Sequence, residues 1–542
     1  MSLDFEREYG VNAGYVQALF EEWKEDASRV DESWRVLFER AAGRAEAPAA
    51  PAPAPAPAAT ATATEEPPRA PDAEPTPGLE PLSGVAGRIA LNMSESLEVP
   101  TATSVRTLPA KALVENRAIL NEHLDVRALG KASFTHLIAY ALVRALAQFP
   151  NLRAAFVEQG GKPFKRVDPH VNLGIAIDIE TPRGRTLVVP SVKAADTLDF
   201  QAFRAAYEDL VARARAGKLA AADYAGTNVT LTNPGGFGTE MSVPRLMKGQ
   251  GLIVATGSIG VPPHLALASP AALAQAAVGP VVTVTSTYDH RVIQGAESGL
   301  FLKRVEELLT GAELYAEIFR TLRVPWKPWT IAEDDGDLRR GSAEKRARVW
   351  ELINAYRVRG CRIADLDPLE YRPDLLESLD PSAYGFTLWD LDRVFPAPML
   401  GKSELPLREI LTVLRRAYCR RWSVEYMHIA DRERKWWVRE QVENPASEHA
   451  FTHETRLALL ERLYRAENFE RFLHTQYVGN KRFSLEGADT LIPVLAELIE
   501  RAAERGVETV VIGMAHRGRL NVLANILGKS YESIFQEFEG TL

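Results

Sequence analysis

The chain has 542 residues, three to four times the ~150 of a typical domain, so several domains are expected. Its content of 46% hydrophobic and 25% charged residues excludes a wholly disordered, collagen-like or membrane-embedded chain. A net charge of -8 without a long basic run argues against a nucleic-acid partner. The most apolar stretch, residues 265–284, is interrupted by two prolines, so no membrane segment is predicted. Only Cys361 and Cys419 occur and no export signal is visible, which favours a reducing cytoplasm.

The N-terminal segment, residues 1–45, is predicted to be helical. Within residues 11–43 the apolar side chains recur at helical spacing, which predicts two short amphipathic helices. These side chains are Tyr15, Leu19, Trp23, Trp34, Leu37 and Phe38. So few residues cannot form a stable core of their own. The segment therefore either docks on another domain or partner, or is merely a small helical cap.

Residues 46–82 are predicted to be a disordered linker. Between positions 46 and 81 there are 12 alanines and 11 prolines, about a third of all 34 prolines in the chain. Alternating Ala-Pro cannot bury apolar surface and favours extended polyproline II, at ~3.1 Å per residue, so the segment could reach on the order of 100 Å. We expect it to hold two pieces of the chain apart.

Residues 83–312 are predicted to form one α/β domain of ordinary size. Three helical patterns alternate there with runs of β-branched residues. The helices are predicted at 110–123, 133–149 and 200–216, and the strands in 171–179, 186–192, 228–233, 252–259 and 281–287. A connector, residues 313–341, is expected to pack against one of its neighbours.

Residues 342–542 are predicted to be mainly helical. A predicted strand at 509–514 runs into a predicted helix at 517–527, which indicates the start of a second α/β domain. The other strands of that sheet do not follow before Leu542. We therefore expect the polypeptide to be truncated.

The first candidate site combines a histidine with a glycine-rich turn. The predicted strand 281–287 leads into a turn that carries His290, where a loop can expose an imidazole that could act as a general base. The strand around Thr232 ends in Pro-Gly-Gly-Phe-Gly, which offers a hydroxyl and backbone N–H groups that could stabilise an oxyanion. An isolated histidine is more often structural, and such a turn can simply use glycine for positive φ angles.

The residues around these positions resemble a known family. The segment DHRVIQGAESGLFL, which begins at Asp289, resembles the D-H-R-x-x-D-G signature of the catalytic domain of 2-oxoacid dehydrogenase acyltransferases. Further segments follow in the family's order over some 220 residues, among them VNLGIAIDIETPRG and LTNPGGFGT. The resemblance implies an acyltransferase domain with a chloramphenicol-acetyltransferase-like fold.

That resemblance also implies roles for single residues. The histidine matching His290 removes the proton from the thiol of coenzyme A, and the threonine matching Thr232 hydrogen-bonds the oxyanion of the tetrahedral intermediate. Because a thiol of pKa ~8.5 is mostly protonated at neutral pH, a base is needed to produce the thiolate, which attacks an acyl-dihydrolipoamide thioester. Family members are trimers in which the two residues come from neighbouring subunits, so the site is expected to lie between subunits.

Gln294 departs from the family pattern. It stands where the family has its second aspartate, which keeps hydrogen-bonding capacity but removes a negative charge. The same glutamine is expected in the actinobacterial fused enzymes described below. We therefore interpret it as a variant that affects the orientation of the loop, and not as the mark of an inactive site.

The second candidate site lies near the C-terminus. His516 and Arg517 occupy a predicted strand-to-helix junction, where helix N–H groups and arginines can bind phosphate or carboxylate. Alternatively, Arg517 and Arg519 serve only to cap the first helical turn.

The segments KRFSLEGAD at 481–489 and GMAHRGRLNVL at 513–523 resemble the thiamine-dependent decarboxylase component of 2-oxoglutarate dehydrogenase. The resemblance, which covers roughly 200 residues, implies that His516 faces the 2-oxoglutarate pocket and that Arg517 contacts thiamine diphosphate.

Two parts that such enzymes need are not found in this sequence. Magnesium is held there by a G-D-G motif followed by an asparagine, because a hard cation needs oxygen ligands. The nearest string, Asp335-Gly336-Asp337, has the wrong order and is expected to be a solvated loop. No lipoyl domain is recognised either, so lipoamide is expected to come from another protein.

The order of the segments resembles the actinobacterial multifunctional enzymes of the tricarboxylic acid cycle, which join a 2-oxoglutarate decarboxylase to a dihydrolipoyl succinyltransferase domain. This implies thiamine diphosphate, magnesium, coenzyme A and lipoamide as cofactors and substrates. The implied partners are a lipoyl-bearing acyltransferase and dihydrolipoamide dehydrogenase, with a decarboxylase dimer and an acyltransferase trimer. Two alternatives stay open: a stand-alone acyltransferase for another acyl group, and a non-catalytic scaffold that only oligomerises the decarboxylase.

Overall fold

The structure, a computed structural model, describes residues 5, 9, 13–42, 84–181, 184–334, 340–367, 376–444 and 451–540. The predicted linker 46–82 therefore lies wholly outside the described residues, as does Asp335-Gly336-Asp337. The chain divides into two compact units, one of Met1–Ile363 with Asp374–Arg415 and the other of Ala364–Pro373 with Arg416–Leu542. The limits of the five predicted segments stay predictions.

The first unit is α/β. Its elements, in chain order, are α1 Ala13–Glu25, α2 Glu32–Ala41, α3 Gly84–Ser96, β1 Thr101–Pro109, α4 Lys111–Val126, α5 Phe134–Leu146, β2 Ala154–Gln159, β3 Lys162–Val167, β4 Leu173–Ile175, β5 Ile177–Thr181, β6 Gly184–Val188, β7 Ser191–Val192, α6 Phe200–Arg215, α7 Ala221–Tyr224, β8 Val229–Thr232, β9 Leu252–Thr256, α8 Pro270–Gln275, β10 Val281–Asp289, α9 Gly295–Thr310, α10 Glu313–Thr321, α11 Arg340–Arg359, β11 Val394–Pro396 and β12 Glu404–Pro406. Helix α12, Leu407–Tyr418, continues from this unit into the next.

A six-stranded sheet organises this unit, in the order β1-β10-β9-β8-β4-β7. Strand β10 is antiparallel to β1 and β9, whereas β8 runs parallel to β9 and β4. Only Val281 and Thr283 of β10 are half-buried, and its other residues, including Val284 to Asp289 in succession, are buried, which is typical of a strand covered on both faces. Helix α9 packs on β1 and β10 and also contacts α4 and α5, so the core lies between this sheet and these helices.

The strands predicted in 228–233, 252–259 and 281–287 are confirmed as β8, β9 and β10, whereas the runs 171–179 and 186–192 each divide into two short strands of different sheets. The three predicted helices are confirmed, with ends shifted by a few residues. Helix α5 shows why: ten of its thirteen side chains are buried, among them Leu137 and Leu142, and Ser133 caps its first turn. Tyr288 and Asp289 prolong strand β10 by two residues and do not belong to the turn that was predicted for them. Helix α10 was missed, because the residues that form it were assigned to the connector.

The two predicted N-terminal helices are confirmed as α1 and α2, and they dock on the α/β domain. The indole Nε1 of Trp34 donates to the carbonyl oxygen of Leu219 at 3.3 Å, and the rings of Tyr15 and Tyr224 are 5.3 Å apart. Helix α1 also packs against α3, which follows the linker. The expectation that the linker holds two pieces apart is therefore wrong, because α1 packs against α3 and side chains of α1 and α2 contact the α/β domain.

Residues 323–334 and 376–415 are attached to the α/β domain through buried and partly buried polar contacts. Asn116 exchanges two hydrogen bonds of 2.7 and 2.8 Å with the backbone of Trp329, which confirms that the connector packs against a neighbour. Arg408 donates to both carboxylate oxygens of Glu115, at 2.6 and 2.7 Å, and to Asp392 at 2.6 Å. Lys111 donates to Asp392 at 2.6 Å and lies 3.4 Å from Glu115.

In the second unit the described elements are helices, as predicted for most of residues 342–542. They are α13 Arg432–Glu443, α14 His453–Gln476, α15 Leu491–Glu504, α16 Arg519–Asn525 and α17 Tyr531–Glu539. One small core gathers Ala466, Leu485, Ile492 and Val522. A second core joins α14 to α17 through Phe469, Leu473 and Ile534.

The strand predicted at 509–514 is wrong for the described residues. Residues 508–515 form no strand, and the side chain of Val511 is 90% exposed. A β-branched run becomes a strand only when another strand accepts its ladder hydrogen bonds. Helix α16 begins at Arg519, two residues later than predicted. That this region begins a second α/β domain stays a prediction.

Candidate functional site

His290 occupies the loop 290–294 between β10 and α9, and its side chain is exposed. Its backbone N–H donates to the carbonyl oxygen of Pro100 at 2.9 Å, so the loop is fixed beside the start of β1. The ring of Tyr288 lies edge-on to the imidazole, with 5.6 Å between centroids. The strand thus delivers an imidazole to solvent, where it can exchange a proton with a bound substrate.

The neighbouring carboxylate of Asp289 is engaged by Arg291 and not by the imidazole. Asp289 is 2% exposed, and its oxygens accept hydrogen bonds from Arg291 Nε at 2.9 Å and Nη2 at 2.7 Å, besides one from the Arg291 backbone. A buried carboxylate needs such a partner to stay ionised. The pair is therefore a structural support at the end of β10, next to the candidate base.

Thr232 ends β8 and is followed by a short 3₁₀ turn, Pro234–Phe237. The Thr232 hydroxyl makes no hydrogen bond within the described part of the chain, so it can donate to a ligand. The amide of Asn233 donates to Thr135 Oγ1 at 2.8 Å, which ties the turn to the start of α5. A Cβ at Gly235 would lie 2.2 Å from the carbonyl oxygen of Gly257, so the close approach of these two segments requires glycine.

One chain does not bring His290 and Thr232 together. In the register of the sheet Thr232 is level with Ala255 and hence with Thr285, five residues before His290 on a strand two places away. With strands ~4.8 Å apart and ~3.3 Å per residue, the two residues are roughly 20 Å apart. The His290 imidazole is exposed and Thr232 is half-buried, and the two residues lie toward different ends of the same sheet.

Gln294 stands at the end of the His290 loop and is exposed. It is the N-cap residue of α9, and its side chain makes no capping hydrogen bond. The predicted influence of this residue on the loop is therefore not exerted through a side-chain cap of the following helix.

In the second unit the two motifs around His516 and Arg517 lie against each other. The imidazole of His516 stacks on Phe483 at 5.2 Å, and Gly518 N–H donates to the carbonyl oxygen of Phe483 at 2.9 Å. Arg517 Nη1 lies 3.5 Å from the carbonyl oxygen of Ser484, and both His516 and Arg517 are exposed. The structure thus brings KRFSLEGAD and GMAHRGRLNVL together, as neighbouring parts of one site require.

A buried glutamate of helix α14 makes hydrogen bonds to both motifs. Glu470 on α14 accepts hydrogen bonds from the backbone N–H of Leu485 at 3.1 Å and from Asn521 Nδ2 at 3.2 Å. Glu470 is 3% exposed and Asn521 is fully buried. These residues therefore fix the spacing of the two motifs.

The described residues do not by themselves fit a thiamine diphosphate site. A diphosphate bound through magnesium needs oxygen ligands for the cation. No group of three or more His, Cys, Asp or Glu side chains in the described ranges could hold a metal ion. His516 supplies an imidazole and Arg517 a cation, both on an open surface, and these groups are only part of such a site.

Sequence reasoning missed the contacts that hold the His290 loop. Asn151 donates to the carbonyl oxygen of Val292 at 3.0 Å, and Phe156 lies 3.9 Å from the guanidinium of Arg291. Neither Asn151 nor Phe156 belongs to a recognisable motif. Asn151 and Val292 are 141 positions apart in the sequence, so no local pattern predicts their contact.

Two family models match this chain. Residues 75–316 match the catalytic domain of 2-oxoacid dehydrogenases acyltransferase, and residues 8–44 match the 2-oxoglutarate dehydrogenase N-terminus. No helix among the described residues is long and apolar enough to cross a membrane.

Similar proteins carry related names. The chain is 50% identical over 468 residues to a multifunctional 2-oxoglutarate metabolism enzyme of Mycolicibacterium vanbaalenii, an alignment that covers 85% of this chain and 37% of that protein. It is 44% identical over 581 residues to a 2-oxoglutarate dehydrogenase E1/E2 component of Corynebacterium glutamicum, covering 98% and 46%. A crystal structure of a probable dihydrolipoamide acetyltransferase from Listeria monocytogenes aligns at 26% identity with a TM-score of 0.37, covering 43% of this chain and 93% of that one. The chain thus spans less than half the length of these two curated relatives.

Proposed function

Since this chain belongs to the family of multifunctional 2-oxoglutarate metabolism enzymes and contains a 2-oxoacid dehydrogenase acyltransferase catalytic domain, we propose that it transfers a succinyl group from dihydrolipoamide to coenzyme A. The observation that carries this proposal is the exposed imidazole of His290, held at the end of β10 beside an Asp289 carboxylate that Arg291 already occupies. The acyl group, the donor and the acceptor are parts of this proposal.

The reaction follows from two groups of the chain. His290 takes the proton of the coenzyme A thiol, and the resulting thiolate attacks the carbonyl carbon of the succinyl thioester. The Thr232 hydroxyl donates a hydrogen bond to the oxyanion that forms. When the intermediate collapses, the carbon–sulfur bond to dihydrolipoamide breaks, and the departing thiolate takes the proton back from the imidazolium.

The site is proposed to lie between two copies of the chain. Its support is the strand register, which puts His290 and Thr232 of one chain roughly 20 Å apart, too far for one substrate carbonyl to meet both. A cyclic trimer would place the Thr232 of one copy near the His290 of the next.

The activity of the longer relatives suggests wider proposals. We propose that the whole protein decarboxylates 2-oxoglutarate with thiamine diphosphate as its cofactor, whose diphosphate a magnesium ion would bind, and that His516 would contribute to the substrate site and Arg517 to the cofactor site. A dimer of this decarboxylase part, a lipoyl-bearing acyltransferase and dihydrolipoamide dehydrogenase are the proposed partners. A cytoplasmic location is proposed because the sequence contains only two cysteines, Cys361 and Cys419, too few for a disulfide framework.

The test measures succinyl transfer from succinyl-dihydrolipoamide to coenzyme A by the parent chain and by His290→Ala and Thr232→Ala. Loss of the base should lower kcat by ~10²–10⁴-fold and loss of the oxyanion donor by ~10²–10³-fold. The exposed His264 and Thr107 supply matched controls, since His264→Ala and Thr107→Ala should change the rate less than about twofold. An inactive parent in a folded oligomer would favour a scaffold, and preference for an acetyl donor would favour another acyltransferase.

A mixing experiment tests the shared site. His290→Ala and Thr232→Ala chains, each inactive alone, are produced together in equal amounts. In random cyclic trimers about a quarter of the interfaces join an intact His290 to an intact Thr232, so about a quarter of the parent activity should return. Absence of any return in mixed oligomers would place the two residues of each site in one chain.

A further inference from the structure

The loop that carries His290 has no side-chain anchor at its C-terminal end. Gln294, which replaces the carboxylate expected from the family pattern, is exposed and makes no capping hydrogen bond to α9. The backbone N–H groups of the loop nevertheless all have acceptors. That of His290 donates to Pro100 O and that of Arg291 to Asp289 Oδ1, while those of Val292 and Ile293 both donate to Asp289 O. Asp289 and Pro100 therefore hold the backbone of the loop, and the side chains that also contact it come from other parts of the chain.

The hairpin β2–β3 supplies one such contact. Phe156 and Lys165 lie directly opposite each other in its antiparallel register, so their side chains share a face. The guanidinium of Arg291 lies 3.9 Å from the centre of the Phe156 ring, within the range of a cation–π interaction. Because Arg291 also binds Asp289, the aromatic ring holds the arginine against the end of β10.

Asn151, which precedes the hairpin, supplies the second contact. Its Nδ2 donates to the carbonyl oxygen of Val292 at 3.0 Å and to Glu297 Oε2 at 2.7 Å. Its Oδ1 accepts a hydrogen bond from Lys165 Nζ at 2.8 Å, from the same face of the hairpin as Phe156. One amide thus joins the hairpin, the loop backbone and the first turn of α9.

We propose that Asn151 and the hairpin 154–167, together called the hairpin clamp, position the loop that presents His290, with Asn151 and Phe156 as positioning residues. That the loop serves catalysis rests on the proposed function, whereas the clamp itself is a property of the fold. Among the described strands β3 pairs only with β2, and all six of its residues are exposed, so the hairpin lies outside the six-stranded sheet.

Hydrogen exchange of peptides that contain residues 290–293 tests the clamp without any substrate. Asn151→Ala and Phe156→Leu should each raise the exchange rate about fivefold to tenfold, as expected when a contact of ~1 kcal/mol is lost. Phe164→Leu is the matched control, because Phe164 lies on the other face of the same hairpin and is 51% exposed. Equal exchange in all three variants and the parent would overturn the proposal.

Succinyl transfer then tests whether the clamp serves His290. A base misplaced by about 1 Å can cost up to ~10²-fold, so Asn151→Ala and Phe156→Leu should lower kcat tenfold to a hundredfold, with KM for coenzyme A changed less than about threefold. The deficit should narrow above pH ~8.5, where the acceptor thiol ionises without a base. A deficit equal at every pH would mean a general structural effect and would overturn the positioning role.

The two measurements separate the two proposals. If the parent chain transfers no succinyl group, the proposed function fails, and the exchange rates still decide whether the clamp holds the loop. If the parent is active and Asn151→Ala exchanges faster without losing activity, the clamp exists but does not position the base, and the positioning role is refuted.

Discussion

Glu115 is the centre of a buried group of charges, and we expect Glu115→Gln to loosen helix α4 and its attachment to residues 376–415. The side chain of Glu115 is only 5% exposed, and the two η nitrogens of Arg408 donate to its two oxygens, at 2.6 and 2.7 Å. Burial alone would raise the pKa of nearby Asp392, but hydrogen bonds from Lys111 and Arg408 outweigh it and hold that pKa below its usual value. Asp392 is therefore held in its charged form, and Glu115 lies against the same two cations, Lys111 and Arg408.

The expected cost follows from what glutamine can and cannot accept. It offers one carbonyl oxygen to Arg408, while its NH₂ group meets the second N–H, so one charge-assisted hydrogen bond of ~1.5–3 kcal/mol is lost and one donor is left without an acceptor. Removal of one partner from a buried ion pair costs about 3–5 kcal/mol. Because the Arg408 side chain is 38% exposed and water can reach it, we expect the lower end, about 3 kcal/mol.

Native-state hydrogen exchange of peptides from α4 measures this effect locally. A loss of about 3 kcal/mol raises the opening equilibrium roughly 10²-fold, at 1.4 kcal/mol for each factor of ten. Glu313→Gln is the matched control: Glu313 pairs with Arg304 at 2.5 Å but is 65% exposed, so its loss should cost less than about 1 kcal/mol. If Glu115→Gln raises exchange no more than Glu313→Gln does, the attachment does not depend on these charges.

Two further predictions concern the turn beside Thr232 and the response to acid. Gly235→Ala should lower the rate of succinyl transfer on the order of 10²-fold, because its Cβ would overlap the backbone of Gly257. The control Gly236→Ala, whose Cβ meets nothing within 4 Å, should leave the rate unchanged. Equal rates for the two variants would disprove the tight packing at Gly235. Burial, followed by the charges of Arg204 and Arg117, lowers the pKa of His136 from 6.5 to about 4. The stability that the neutral His136 contributes is therefore fully present above pH 6.5 and falls, by up to roughly 3 kcal/mol, as the pH decreases toward 4. Thermal unfolding from pH 7 to 5 should show a smaller decrease for His136→Gln, which can keep the capping box with Ser133; an identical decrease would exclude His136 as the cause.

Much of the first unit was predictable because its signals are local. The β-branched runs at 228–233, 252–259 and 281–287 became β8, β9 and β10, and the helical pattern at 133–149 became α5. The turn after Thr232 and the exposed loop at His290 were also predicted, since glycines and the strand-to-helix change mark them in the sequence.

What the sequence did not predict depends on distant partners. Residues 509–514 have the composition of a strand, but strand formation requires a second strand to accept the hydrogen bonds. The pairing of Glu115 with Arg408 spans 293 positions, and Asn151 reaches Val292 across 141. No periodicity or motif encodes such contacts, which only the tertiary fold creates.

Helix α1 packs against α3, so the described residues on both sides of positions 43–83 belong to one compact unit. For any chain segment of about 41 residues, bringing its two ends together costs about 3 kcal/mol of chain entropy, and doubling its length would add only ~0.6 kcal/mol. A tether of such length gives its ends a mutual effective concentration on the order of millimolar, which no dilution of the protein can lower. Evolution can therefore lengthen or shorten this segment at little cost in docking, provided that the aromatic side chains of α1 and α2 are kept.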